Sequence, residues 1–173
     1  MMRSMSRRLE SAPALILAAC LALPLLHGCA SHGPGEPQNP IETHLEAGRY
    51  LEAAREAESA VRRDPENVSL RVLAGRAHAG AGNLDRAVDQ LELAHQLAPH
   101  DAEISILLGE IEQQRENVPD AYVAFRRATR LAPDDIRAWS GLALSAEALG
   151  FEGEAVDAYT RWAELEREQG LAP

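Results

Sequence analysis

The sequence predicts an all-α solenoid of about four antiparallel helical hairpins, and three observations carry that prediction. Ala53, Ala87, Ala121 and Ala155 are spaced 34 residues apart, and Ala60, Ala94 and Ala128 keep the same step at a second offset. Pro65, Pro99 and Pro133 repeat it at a third, and Gly48, Gly82 and Gly150 precede the alanines, with Glu116 in place of a glycine in the third interval. The intervening residues are rich in Ala, Leu, Glu and Arg, which favour helix on propensity alone. A period of this size marks stacked helical repeats, each of which needs a neighbour to bury its apolar face.

The first 28 residues do not share the period. Residues 1–11 carry Arg3, Arg7 and Arg8 against one acid, Glu10, and residues 12–26 are mostly apolar. A basic start followed by an apolar run is the arrangement of an export signal. The run is short of the roughly 20 residues a spanning helix needs, and Pro13 and Pro24 interrupt it. Leu26-His27-Gly28-Cys29 resembles the lipobox of bacterial lipoproteins, with Leu, Gly and Cys in place and His27 as a departure. Leu17-Ala18-Ala19-Cys20 matches in letters, but cleavage there would leave an apolar stub at the start of the mature chain. The resemblance implies a signal peptide over 1–28 and lipidation of Cys29, whose several acyl chains would anchor the protein stably to a bilayer. Ala30, rather than Asp, follows the cysteine, which in that family implies the outer membrane of a Gram-negative host. The alternatives are a secreted periplasmic protein without a lipid anchor and an uncleaved anchor. Residues 29–40, with three Pro and two Gly after Ala30, read as a flexible tether that reaches about 30 Å when extended.

Residues 41–169 form the expected repeat domain, in units of about 41–67, 68–101, 102–135 and 136–169. The first unit pairs a short helix over 41–47 with one over 50–63, which Asp64-Pro65 ends. The second pairs 68–81 with 84–97, the third 102–115 with 119–131, and the fourth 136–149 with 153–168. Asn67, Asn83, Asp101 and Asp135 stand where a side-chain oxygen can cap the orphan amides of a helix start. Gly48, Gly82 and Gly150 suit the left-handed residue of a tight hairpin, and Pro119 suits a first helical turn. In the third unit Asn117 is expected to take the place of glycine, because Asn visits the left-handed region more readily than Glu.

These spacings resemble the tetratricopeptide repeat family, whose unit is a 34-residue pair of antiparallel helices. Trp139-Ser140-Gly141-Leu142-Ala143, Leu108-Gly109 and Ala74-Gly75 fill its first-helix pattern. Ala155 with Tyr159, then Ala121, Phe125 and Ala128, and Ala87, Leu91 and Ala94 fill the second, with Ala53, Ala57 and Ala60 beginning the series. The usual mid-helix aromatic is replaced by His78, Glu112 and Ala146, and the first helix of the first unit is truncated. The in-step alanines let helices approach closely, while Leu73, Leu91, Leu107, Leu108, Phe125 and Leu142 fill the layers between them. Trp162 occupies the offset of Ala60, Ala94 and Ala128 with no unit after it, so it is either a cap over the open end or an apolar anchor for a partner.

The chain offers no phosphate-binding glycine loop, His-Glu-x-x-His, cysteine pair or nucleophile elbow. His95 and His100 flank Pro99 without an evident third ligand, and acid pairs such as Asp134-Asp135 suit helix starts. No cofactor, metal, catalytic residue or small-molecule substrate is therefore expected. The formal net charge of −10, with all 17 basic residues arginine, opposes nucleic-acid binding, which needs a basic stripe.

The expected function is protein–protein interaction on a surface. In the resembled family the first helices line a concave groove. Transferring that geometry selects Ser69, Val72, Arg76 and Ala79, then Glu103, Ile106, Glu110 and Gln113, then Arg137, Ser140, Leu144 and Glu147. Val72, Ile106 and Leu144 are expected to form an apolar stripe flanked by charge. The Lys/Asn clamp with which family members grip chaperone carboxylates is missing. Signal, anchor, tether and solenoid together resemble envelope lipoproteins that assist pilus or secretion-system assembly, such as pilotins. The alternative is an adaptor that brings peptidoglycan-processing enzymes to the outer membrane. The partners implied are envelope proteins or peptides, and the bilayer through Cys29.

Overall fold

The 34-residue step becomes eight α-helices in the computed structural model, which describes residues 39–170. The expectations for the signal peptide, for Cys29 and for the tether through residue 38 lie outside the described residues. The helices are α1 (Pro40–Glu46), α2 (Tyr50–Arg63), α3 (Val68–Gly80), α4 (Leu84–Leu97), α5 (Ala102–Gln114), α6 (Val118–Leu131), α7 (Ile136–Ala148) and α8 (Glu152–Glu168). Their ends fall within one residue of those expected. Residues 39 and 40 belong to the fold rather than to the tether, since the Asn39 side chain accepts from the Ile41 amide and Pro40 opens the first turn.

Two kinds of link alternate along the chain. Between units, Asn67, Asp101 and Asp135 cap α3, α5 and α7 as expected: their side chains accept from the amides of Leu70, of Glu103, and of Arg137 and Ala138. Within units the link is closed by backbone. Gly48, Gly82 and Gly150 have φ of 67°, 77° and 77°. The next amide, from Arg49, Asn83 or Phe151, donates to the carbonyl five residues back, on His44, His78 and Ala146 respectively. This is a Schellman-type closure that satisfies carbonyls orphaned at the helix end. Asn83 accordingly corrects its expected role. It stands at the start of α4, but its side chain caps nothing, because its own amide is committed to closing the turn.

The third unit brings a second correction. The left-handed residue is Glu116, with φ 61°, whereas Asn117 keeps φ −89°. The Asn117 amide closes the turn on Glu112 at 2.9 Å, and its side-chain amide donates to Glu112 Oε2 and Asp120 Oδ2. Register therefore decides the backbone conformation and overrides the local preference for Asn.

The core is assembled from complementary volumes across each hairpin. Ala53, Ala87, Ala121 and Ala155 are all buried at the helix crossings. In the first unit the large partner is Ile41 on α1 and the small one Ala57 on α2, both in one buried cluster. The second and third units reverse the sizes. A Cβ added to Gly75 would stand 2.7 Å from Leu91, and one on Gly109 would stand 2.7 Å from Phe125. Phe125 also fills the space over Gly141 in the following unit, where an added Cβ would come within 2.4 Å of the ring. Leu73, Leu91, Leu108, Leu142 and Phe125 are buried as expected, while Leu107 is only half-buried.

The positions that usually carry a mid-helix aromatic are buried too, at the cost of needing polar partners. His78 is 2% exposed, with Nε2 3.2 Å from Glu58 Oε1 and Nδ1 unpartnered. Burial, the largest influence on it, holds its pKa below the ordinary histidine range. Glu112 is 5% exposed and accepts from Arg115 and Asn117.

Candidate protein-interaction face

Helix-to-helix contacts across units are one-sided. α1 touches α3, α3 touches α5 and α5 touches α7, whereas no contact joins α2 to α4, α4 to α6 or α6 to α8. The first helices are therefore crowded together and the second helices spread apart, which makes the first-helix side the inner, concave wall of the stack.

Most of the expected residues do face that wall. Ser69 and Arg76 on α3, Glu103 on α5, and Arg137, Leu144 and Glu147 on α7 are exposed. Val72, Ala79, Glu110, Gln113 and Ser140 are half-buried. Ile106 is a correction, since it is 1% exposed and clusters with Phe125, Ala138 and Leu142. The close approach of α7 to α5 draws it into the core, so the expected stripe of Val72, Ile106 and Leu144 is broken at its middle. Leu144 in any case shares its register with Arg76 and Glu110, not with Val72 and Ile106, and its side chain is 48% exposed among charges.

The electrostatics of the wall centre on Arg137. Its guanidinium donates to both carboxylate oxygens of Glu103 from the neighbouring unit, one at 3.2 Å. Arg137 also lies 3.2 Å from Asp135 and 3.9 Å from Glu110. Those bonds hold Arg137 charged, raising its pKa above the usual arginine value. Glu110 is shifted up from the carboxylate range, chiefly by burial, and the nearby charges of Glu103 and Asp135 add to the shift while Arg137 opposes it. On the same wall Tyr159 of α8 donates to Glu147 at 2.6 Å, which raises the phenol pKa.

Further along, Glu42, Leu45, Glu46, Tyr50 and Arg76 enclose an open cleft of about 330 Å³. Tyr50 is 40% exposed and its ring lies against Gly80, where no Cβ could be accommodated. Sequence reasoning missed Glu42, Leu45 and Glu46. One more 34-residue step upstream from Arg76, Ala79 and Gly80 would have found all three.

Trp162 is half-buried. It stacks on Tyr159 of its own helix with ring centroids 6.0 Å apart, and its indole N–H donates to Glu166. His95 is engaged in the fold, with Nε2 2.9 Å from Arg127 Nη1. Among the described residues no group of three potential ligands is placed to hold a metal, and no helix is long and apolar enough to cross a membrane.

Two family models, both described as tetratricopeptide repeat, match residues 41–102 and 78–145. Together they run from residue 41 to residue 145, more than half of the chain. The chain belongs to the tetratricopeptide repeat family. No curated protein matches it. Among solved structures, this tetratricopeptide repeat chain is similar to a crystal structure of MamA at 22% identity, over 76% of this chain and 77% of that one, with a TM-score of 0.72. It is also similar to MamA residues 41-end from Desulfovibrio magneticus RS-1, at 22% identity over 75% and 73% of the two chains, with a TM-score of 0.69. At that identity the likeness is one of fold. Tetratricopeptide repeats are protein-interaction scaffolds, and membership gives this chain that general role.

Proposed function

We propose that the protein is a non-enzymatic adaptor, held at the bacterial outer membrane on the periplasmic side by lipidated Cys29, whose concave wall receives a protein segment during assembly of an envelope machine such as a pilus or secretion system. One observation supports the docking part: the first helices present an unpartnered wall with Leu144 and Tyr50 exposed among charges, and on that wall every strong electrostatic contact serves structure. The lipobox-like Leu26-His27-Gly28-Cys29 supports the anchor. Recruitment of peptidoglycan-processing enzymes is the second reading, motivated by the same anchor and wall.

Two measurements test the proposal. Mass spectrometry of the mature N-terminus from the membrane fraction should find acylated Cys29, and an unmodified start elsewhere would remove the anchor. Crosslinking in membranes from positions 69, 103 and 144 should capture a secretin or pilus component. A peptidoglycan hydrolase would favour the second reading, and lipid alone would end the adaptor idea.

A further inference from the structure

The charged residues of the concave wall are unequally divided. At the positions that face the groove, α1 supplies Glu42 and Glu46, α3 supplies Arg76, α5 supplies Glu103 and Glu110, and α7 supplies Arg137 and Glu147. Five carboxylates thus face two guanidiniums. Arg137 is already shared among Glu103, Glu110 and Asp135, so that end keeps an excess of negative charge, and Glu147 adds to it. At the other end, none of the ion pairs among the described residues involves Glu42, Glu46 or Arg76. The two carboxylates there stand four residues apart on one helix face, beside the exposed ring of Tyr50. Like charges held four apart on a helix disfavour one another until a cation arrives, and an aromatic face beside them adds attraction for that cation.

Apolar surface lies at both ends of this acidic wall. Leu45 and Tyr50 border the cleft at the α1 end and Leu144 is exposed at the α7 end, with half-buried Val72 and Ala79 between them. We propose that this wall docks a basic segment of a partner protein in which Lys or Arg side chains are interspersed with aliphatic or aromatic ones. The proposal rests on the adaptor reading above and names the partner's chemistry. Basic side chains would meet Glu42 and Glu46 at one end and the surplus carboxylates around Arg137 at the other, while apolar side chains cover Tyr50 and Leu144. Complementary charge of this kind steers encounter and rejects wrong partners more than it adds affinity. Acidic peptides, nucleic acid and anionic lipid surfaces are repelled by the same wall.

The test presents the full chain to an array of random peptides, each of about 12 residues, long enough to span several units. Bound peptides are expected to carry net positive charge and at least one large apolar residue. Their affinity should fall about tenfold or more between about 50 and 300 mM salt, as screening removes the attraction. Glu42→Gln/Glu46→Gln/Glu147→Gln should weaken binding about tenfold without changing the thermal midpoint, since none of these carboxylates is buried. Glu42→Arg/Glu46→Arg should shift preference toward acidic peptides. Asp89→Asn/Asp157→Asn, on the second helices, should leave binding unchanged. Selection of acidic or uncharged peptides that still require the first-helix wall would overturn the basic partner and spare the adaptor reading. Binding lost in the second-helix variant and kept in the first-helix variants, or no peptide bound at all, would overturn both.

Discussion

Glu116 offers the cleanest perturbation in this fold. Its φ of 61° lies among those of Gly48, Gly82 and Gly150, which occupy the same turn in the other units. At each of those glycines an added Cβ would meet nothing within 4 Å, so the penalty for a side chain there comes from backbone conformation alone. Glu116 is exposed and takes part in no side-chain hydrogen bond or ion pair among the described residues, so its removal sacrifices no contact. A non-glycine residue in the left-handed region costs about 1–2 kcal/mol. A new glycine gives back about 0.4–1 kcal/mol through the freer unfolded chain. Glu116→Gly should therefore stabilise the protein by about 0.5–1 kcal/mol, and the mirror change Gly82→Ala should destabilise it by a similar amount. Urea denaturation of both variants beside the parent, with m-values compared so that midpoint shifts report stability, makes the measurement. If Glu116→Gly is neutral or destabilising while Gly82→Ala behaves as expected, Glu116 is not strained, and the equivalence of the four turns is wrong.

Three further outcomes are expected. Gly141→Ala places a methyl against the Phe125 ring, which is buried and closed in by Gly109, and should cost about 1–3 kcal/mol by overpacking; Gly153→Ala, where an added Cβ meets nothing, serves as its control in the same denaturation series. Asp135→Ala removes a cap to two amides and should cost about 1 kcal/mol, whereas Asn83→Ala, which removes no capping bond, should stay within about 0.5 kcal/mol of the parent. Burial lowers the pKa of His78 and His95, so as pH falls through the unfolded value near 6.5 the unfolded chain takes up protons that the folded one refuses. Stability should then decline from pH 7.5 toward 5.5 and continue to fall until the folded pKa is passed. Thermal midpoints across that window should fall less steeply for a His78→Gln/His95→Gln variant; an unchanged slope would show that these rings are not held neutral. The upward shift of Glu110 acts in the opposite sense, and the comparison with the histidine variant cancels it.

Much of the architecture was legible because one period carries it. Helix ends, the in-step alanines and the caps Asn67, Asp101 and Asp135 follow from local rules applied at each step. Glu116 shows what happens when the period is set aside: residue preference favoured Asn117, yet Glu116 stands a full step from both Gly82 and Gly150. Ile106 shows the opposite limit. It shares a register with Val72 and Ser140, both half-buried, and is enclosed only because α7 lies against α5, a contact that no single repeat encodes. The polar replacements His78 and Glu112 were visible as departures, but their partners Glu58 and Arg115 depend on neighbouring helices. The charge network around Arg137 joins residues a full step apart, and only stacking brings them together.

Volume matching across the hairpins has a consequence for how such a protein can change. Ile41 faces Ala57, Gly75 faces Leu91, and Phe125 is seated on both Gly109 and Gly141. Each module thus has its own lock and key, and the third borrows part of its lock from the fourth. Modules of this chain are consequently not exchangeable parts. Duplicating, deleting or reordering one of them leaves either a void or a collision at the seam, unless the residues on both sides of that seam travel with it.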